Sequence, residues 1–89
     1  MMTKQELYEH LHKHFADEVA GVEKYLALAE TAEELGDYVI AQKLLNIAKD
    51  EYTHGKAIIE HIQLDGIRAT PEEKEKWEKA EQHLFKYVK

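Results

Sequence analysis

The sequence predicts an all-α protein, a long antiparallel helical hairpin followed by a short C-terminal helix. Three observations point there. Apolar residues recur at spacings of three and four over long stretches, the pattern of one helix face. Only two breaks interrupt that pattern, at Gly36-Asp37 and from Gly66 to Pro71. No useful length of chain alternates with the period of two that a half-buried strand requires.

The first helix is expected from about Thr3 to Leu35. Thr3 and Glu6 read as a capping box that satisfies two free N–H groups reciprocally. Its apolar face is Leu7, Leu11, Phe15, Val19, Val22, Leu26 and Ala29. At about 1.5 Å per residue it should be roughly 50 Å long, a length that suits a bundle. The second helix is expected from about Asp37 to Leu64. Gly36 can end the first helix in a left-handed conformation, and Asp37 can cap the second. Ala41, Leu44, Leu45, Ala48, Ile58, Ile59 and Ile62 form its apolar face. So tight a turn makes the two helices antiparallel neighbours. The third helix starts at Thr70, with Pro71 at its first position and Glu73 completing a capping box. Its stripe is thin: Trp77, Ala80, Leu84 and Val88. The other face alternates Lys and Glu, a solvated face with i,i+4 pairs. Residues 1–67 therefore read as the hairpin and 68–89 as an amphipathic helix of the same domain.

Composition narrows what such a protein can do. At 89 residues it is one small domain. Chains this short usually add disulfides, a metal or a partner chain to a marginal core. With no Cys, disulfides, thiolate nucleophiles and Cys-based metal sites are excluded. The 18 Asp and Glu against 12 Lys and Arg argue against nucleic acid as a partner. No apolar run approaches the ~20 residues that span a bilayer. The N-terminus shows no signal-peptide pattern, so a cytoplasmic protein is expected, without membrane association.

The informative residues are polar ones at positions the helical period assigns to the interior. Glu18 lies between Phe15 and Val22, and it starts a second stripe: Glu18, Gly21, Tyr25, Leu28, Ala32. Glu51 and His54 form an E-x-x-H pair on the inner face of the second helix, about 60° apart around the axis. Glu18 is 18 residues before Gly36, and His54 is 17 after Asp37. In an antiparallel hairpin these two sit level, with Glu51 one turn nearer the loop. Burying two carboxylates is costly unless a cation or solvent compensates. One hairpin offers three ligands. The first helix, with two apolar stripes, needs a second hairpin to cover it, and a two-fold copy of the chain is the simplest source. The doubled set, four Glu and two His, is the constellation of ferritin-like di-iron carboxylate bundles. Carboxylate and imidazole donors suit iron, manganese or zinc.

Glu18 followed seven residues later by Tyr25, then Glu51-Tyr52-Thr53-His54, resembles the first half of the di-iron domain of rubrerythrin. The stretch from Ala32 to Ala41 resembles that family's turn region, and the similarity runs over roughly residues 11–62. Rubrerythrins carry two such helix pairs in one chain, whereas this sequence carries one. It is therefore similar to single-hairpin members of the ferritin-like superfamily, related to the encapsulated ferritins, whose di-metal site forms between chains. The resemblance implies a four-helix bundle built by a homodimer or a larger ring of dimers. It implies a di-iron centre that oxidises Fe(II) or reacts with O2 or H2O2, as a ferroxidase or a peroxide-reducing oxidoreductase. Glu18, Glu51 and His54 would be the ligands. Tyr25 would be the candidate catalytic side chain, bonding a ligand carboxylate through its hydroxyl. Adjacent irons deliver two electrons together and avoid a free oxygen radical.

Three features depart from the family pattern. Without Cys there is no rubredoxin domain, so a peroxidase cycle needs an external electron donor. Gly21 stands where rubrerythrin's second half has an extra Glu, and Lys24 where encapsulated ferritins usually have Trp. The sequence closes on Tyr87-Val88-Lys89 within the third helical pattern, so a docking peptide for encapsulation is not expected.

Plainer readings stand beside these. The chain has 14 Glu and 6 His, so one E-x-x-H arises by chance; Glu9 with His12 is a second, and it reads as surface. His12 and His83 read as surface residues. His10 and His14 lie on the Glu18 side, with His61 level with them, either as an accessory or entry site or simply solvated. The Trp77 stripe reads as packing against the bundle or a neighbouring chain. The competing function is a helical-hairpin dimerisation module with a structural metal or none.

Overall fold

A computed structural model describes residues 1–64 and 69–87, with the side chains of 62–64 left aside. Three helices form it: α1, Lys4–Glu34; α2, Tyr38–Leu64; α3, Pro71–Phe85. There is no strand among the described residues. No helix among them is long and apolar enough to cross a membrane. Gly66, Val88 and the side chain of Ile62, all expected to matter, lie outside the described residues.

Local chemistry sets the helix ends where the sequence places them. The Glu6 N–H donates to Thr3 Oγ1 at 3.1 Å. The reciprocal half of the expected box is replaced, because the Thr3 hydroxyl itself donates to Glu6 Oε1. Gly36 takes φ 79°, a conformation that disfavours a Cβ. The Gly36 N–H then reaches Glu33 O and the Asp37 N–H reaches Ala32 O, the paired bonds of a Schellman turn. Asp37 caps α2 by accepting from the Ile40 N–H at 3.1 Å. At Thr70 the capping box is complete: Glu73 N–H to Thr70 Oγ1, and Thr70 N–H to Glu73 Oε1.

The core lies along the hairpin seam and under α3. Phe15, Val22 and Leu26 of α1 are fully buried, with Ala48 and Ile59 of α2. Leu7, expected on the inner face, is 44% exposed. It belongs to the open side of α1 rather than the side facing α2. From α3, Trp77, Ala80 and Leu84 close the core. The Trp77 ring stacks on Tyr52 at 4.8 Å and meets Phe15 at 5.5 Å. Gly55 makes this possible, since a Cβ there would stand 2.8 Å from the Trp77 ring. The Trp77 stripe thus packs on its own hairpin.

Charged clamps fix α3 at both ends, and two surface assignments are corrected by them. His12 is half-buried and donates through Nδ1 to both oxygens of Glu73, at 2.8 and 3.0 Å. His83 is also half-buried, bonding Glu23 through Nδ1 at 2.7 Å and Glu30 through Nε2. Both partners of His83 are on α1, two helical turns apart. Helical periodicity alone assigns these His residues to solvent, because the docking of α3 is not encoded in the spacing of either helix. Tyr52 adds a hydroxyl bond to Glu81 at 2.6 Å. These pairings run α3 parallel to α1 and antiparallel to α2. They leave the opposite face of the hairpin uncovered.

Candidate metal centre

The hairpin register brings Glu18 of α1 together with Glu51 and His54 of α2, as their distances from the turn require. One ligand atom from each of the three lies within 4.8 Å of the others. Glu18 Oε2 stands 3.7 Å from His54 Nδ1. The environment is graded: the Glu18 side chain is 11% exposed, that of His54 62%, and Glu51 is half-buried. The cluster is thus rooted in the seam and open on the face that α3 leaves bare. A cleft of about 770 Å³ between α1 and α3, lined in part by His12, Ala16 and Val19, includes none of the three residues.

Gly21 makes room for one of the carboxylates. A Cβ at that position would sit 3.1 Å from Glu51 Oε2 and 3.2 Å from its Cδ. On the other side of Glu18, His14 Nε2 donates to Glu18 Oε1 at 2.8 Å, one turn back along α1. Glu18 Oε2 is buried and has no aligned hydrogen-bond partner. Native proteins rarely leave such an atom unpaired, and each instance calls for an explanation.

The two carboxyls act on each other's charge. Contact with the Glu18 carboxylate pushes the Glu51 carboxyl up, and burial and the Glu18 charge add to this, against the opposing pull of His54. Burial works against the Glu18 charge. The contacts with Glu51 and His14 and the nearby imidazoles outweigh it, so the Glu18 carboxyl is held below its usual range. Two carboxyls therefore crowd one point of the seam. A cation with an imidazole nitrogen beside it satisfies both, and supplies the partner that Glu18 Oε2 is missing. The three side chains fit a bound metal ion on these grounds.

Tyr25 is half-buried against the core, with Lys24 Nζ 5.5 Å from its ring centroid. Among the described residues its hydroxyl makes no hydrogen bond to Glu18 or Glu51. His10 and His61 are exposed. Of the outlying imidazoles, His14 touches the cluster, through Glu18. Its i,i+4 spacing to Glu18 puts it on that helix face, as the sequence indicates, and the structure adds the bond itself. Glu9 bonds Gln5, and His12 bonds Glu73, so the second E-x-x-H is not a site.

Comparisons with protein-family models, with curated proteins and with solved structures find no match for this chain.

Proposed function

We propose that this chain is half of a ferritin-like di-iron carboxylate protein, resembling rubrerythrin's di-iron domain. Two copies would pair across the open hairpin face. The observation that carries the reading is the convergence of Glu18, Glu51 and His54 around a buried, unpartnered Glu18 oxygen. A second observation supports the pairing. The face that displays the cluster also exposes Leu28 of α1, Leu35 at its C-cap, and Ile40 and Ile47 of α2. Apolar residues flanking a polar cluster suit burial by a second copy, which brings a second set of ligands.

Each residue has a role in this reading. Glu18 is anionic and bridges the seam. Glu51, whose carboxyl is pushed up beside Glu18, would bind a metal as the carboxylate, giving up any proton it carries to solvent. His54 adds a neutral nitrogen donor from the exposed side. A bound iron pair would supply two electrons to O2 or H2O2, which makes the protein a ferroxidase or a peroxide-reducing oxidoreductase with an external electron donor. Manganese or zinc fits the same donors.

The test is elemental analysis of protein from iron-supplemented cells, together with its mass in solution. About two metals per dimer is expected. A metal-free protein that takes up no Fe(II) would leave the exposed apolar stripe to be explained as a dimerisation module alone.

A further inference from the structure

The cluster contains one side chain that the ligand set does not use. His14 bonds Glu18 Oε1 at 2.8 Å, and the other oxygen of the same carboxylate is the buried one without a partner. A carboxylate held by one oxygen has lost the rotation that would exchange its two oxygens. What remains free is Oε2, which faces His54 at 3.7 Å within the cluster. We propose that His14 is a positioning residue that holds Glu18 with Oε2 presented to the metal. The inference rests on the metal reading of the Glu18, Glu51 and His54 cluster.

The surroundings of His14 fit that role better than the role of a stray surface imidazole. Its side chain is 61% exposed in the single chain. However, Leu7, His14, Gly21 and Leu28 of α1 and Leu35 at its C-cap repeat every seven residues. Leu7, Leu28 and Leu35 of this column are exposed apolar residues. A second copy that covers them also covers His14. Its bond to Glu18 then lies in a drier environment, where a charge-assisted hydrogen bond is stronger. Metal-bound carboxylates are commonly oriented by such outer partners.

Co(II) serves as the probe, with binding followed by its visible absorption in the full-length wild type, H14A and H14Q. Circular dichroism confirms that each is helical. Gln can place an amide N–H near the position of the imidazole Nε2–H, so H14Q keeps the donor without the ring. The expected result is Co(II) affinity weakened about 10- to 100-fold in H14A and restored to within about threefold of wild type in H14Q. H14A binding as tightly as wild type would overturn the positioning role while leaving the metal reading intact. H14Q as weak as H14A would also overturn it, since His14 would then act through its ring, as a ligand. A wild-type chain that takes up no Co(II) would overturn the metal reading, and this inference with it.

Discussion

Gly21 of α1 leaves the space that Glu51 of α2 fills: a Cβ on residue 21 would approach Glu51 Oε2 to 3.1 Å. The contact crosses the hairpin seam beside the ligand cluster. Gly21→Ala should therefore act on stability and on metal binding in opposite senses. Within a helix, Ala is favoured over Gly by about 1 kcal/mol, so the metal-free variant should be as stable as wild type or slightly more so. The displaced carboxylate should weaken Co(II) binding about tenfold, as mis-set outer contacts do elsewhere. Thermal melts with and without Co(II) read both effects. Tighter metal binding in the variant would show that Glu51 does not need this space.

Gly55 makes a similar contact at a different place, and the balance there should tip the other way. A Cβ at 55 would stand 2.8 Å from the Trp77 ring, closer than any relaxed contact. Trp77 is held between Tyr52 and Phe15, so it has little room to yield. Gly55→Ala should lower stability by about 1–3 kcal/mol, outweighing the gain in helix propensity. Loss of the near-ultraviolet dichroism of Trp77 with retained far-ultraviolet helicity would locate the damage at the docking of α3. An unchanged Trp77 signal would contradict the packing described for this ring.

The ligand variants should separate metal uptake from folding. Glu51→Ala and His54→Ala remove half-exposed or exposed groups, and the first also removes a carboxyl competing with Glu18. Both chains should remain helical. A ligand that binds only the folded state raises Tm, by about 2.7 kcal/mol of stability at a hundredfold excess over Kd. Wild type should show that rise with Co(II), and neither variant should. A metal-dependent Tm shift retained in both would refute the ligand assignment.

Tyr25→Phe tests the role that the family resemblance assigns to its hydroxyl. That hydroxyl makes no bond to Glu18 or Glu51 in the single chain. Metal content should be retained and Fe(II) oxidation kinetics altered. Complete loss of metal would mean that Tyr25 belongs to the ligand set.

The clamp at the end of α3 should respond to pH. Burial opposes the His83 charge, but the hydrogen bonds it donates to Glu23 and Glu30 and their negative charges overcome it, so the imidazole is raised above its ordinary value. Its two nitrogens bond two carboxylates, which requires the protonated ring. The hydrogen bond from His83 holds the Glu30 carboxyl below its usual range, with the Tyr87 hydroxyl and the charges of His83 and Lys86 acting in the same direction against burial. A raised folded pKa means that the stabilisation is complete below about 6.5, the unfolded value, and is lost as pH rises through the folded one. The lowered Glu30 sets the acid limit, because its share fades as pH falls through the carboxylate range. Stability measured across neutral to mildly alkaline pH should therefore decline in wild type. His83→Ala should start lower and lose that slope. An identical slope in the variant would assign the pH dependence to other groups.

Helix ends and hairpin register are legible in the sequence because they depend on neighbouring residues. Thr3, Gly36-Asp37 and Thr70-Pro71-Glu73 act through bonds that span a few positions, and the structure forms them with one change at Glu6. Counting from the turn was enough to bring Glu18, Glu51 and His54 together, since rise per residue is nearly constant along a helix. The azimuth at which α3 docks has no such local determinant. It depends on Trp77 finding Gly55, and on His12 and His83 finding carboxylates about 60 residues away in sequence. The same holds for the unpartnered Glu18 oxygen, a property of side-chain placement rather than spacing; spacing puts His14 beside Glu18, but only side-chain placement makes their bond. By itself the sequence determined three helices, their caps and the residues of the cluster. Only the tertiary structure decided which face α3 covers, and therefore which face of the cluster stays open, because side-chain packing across helices selects that direction.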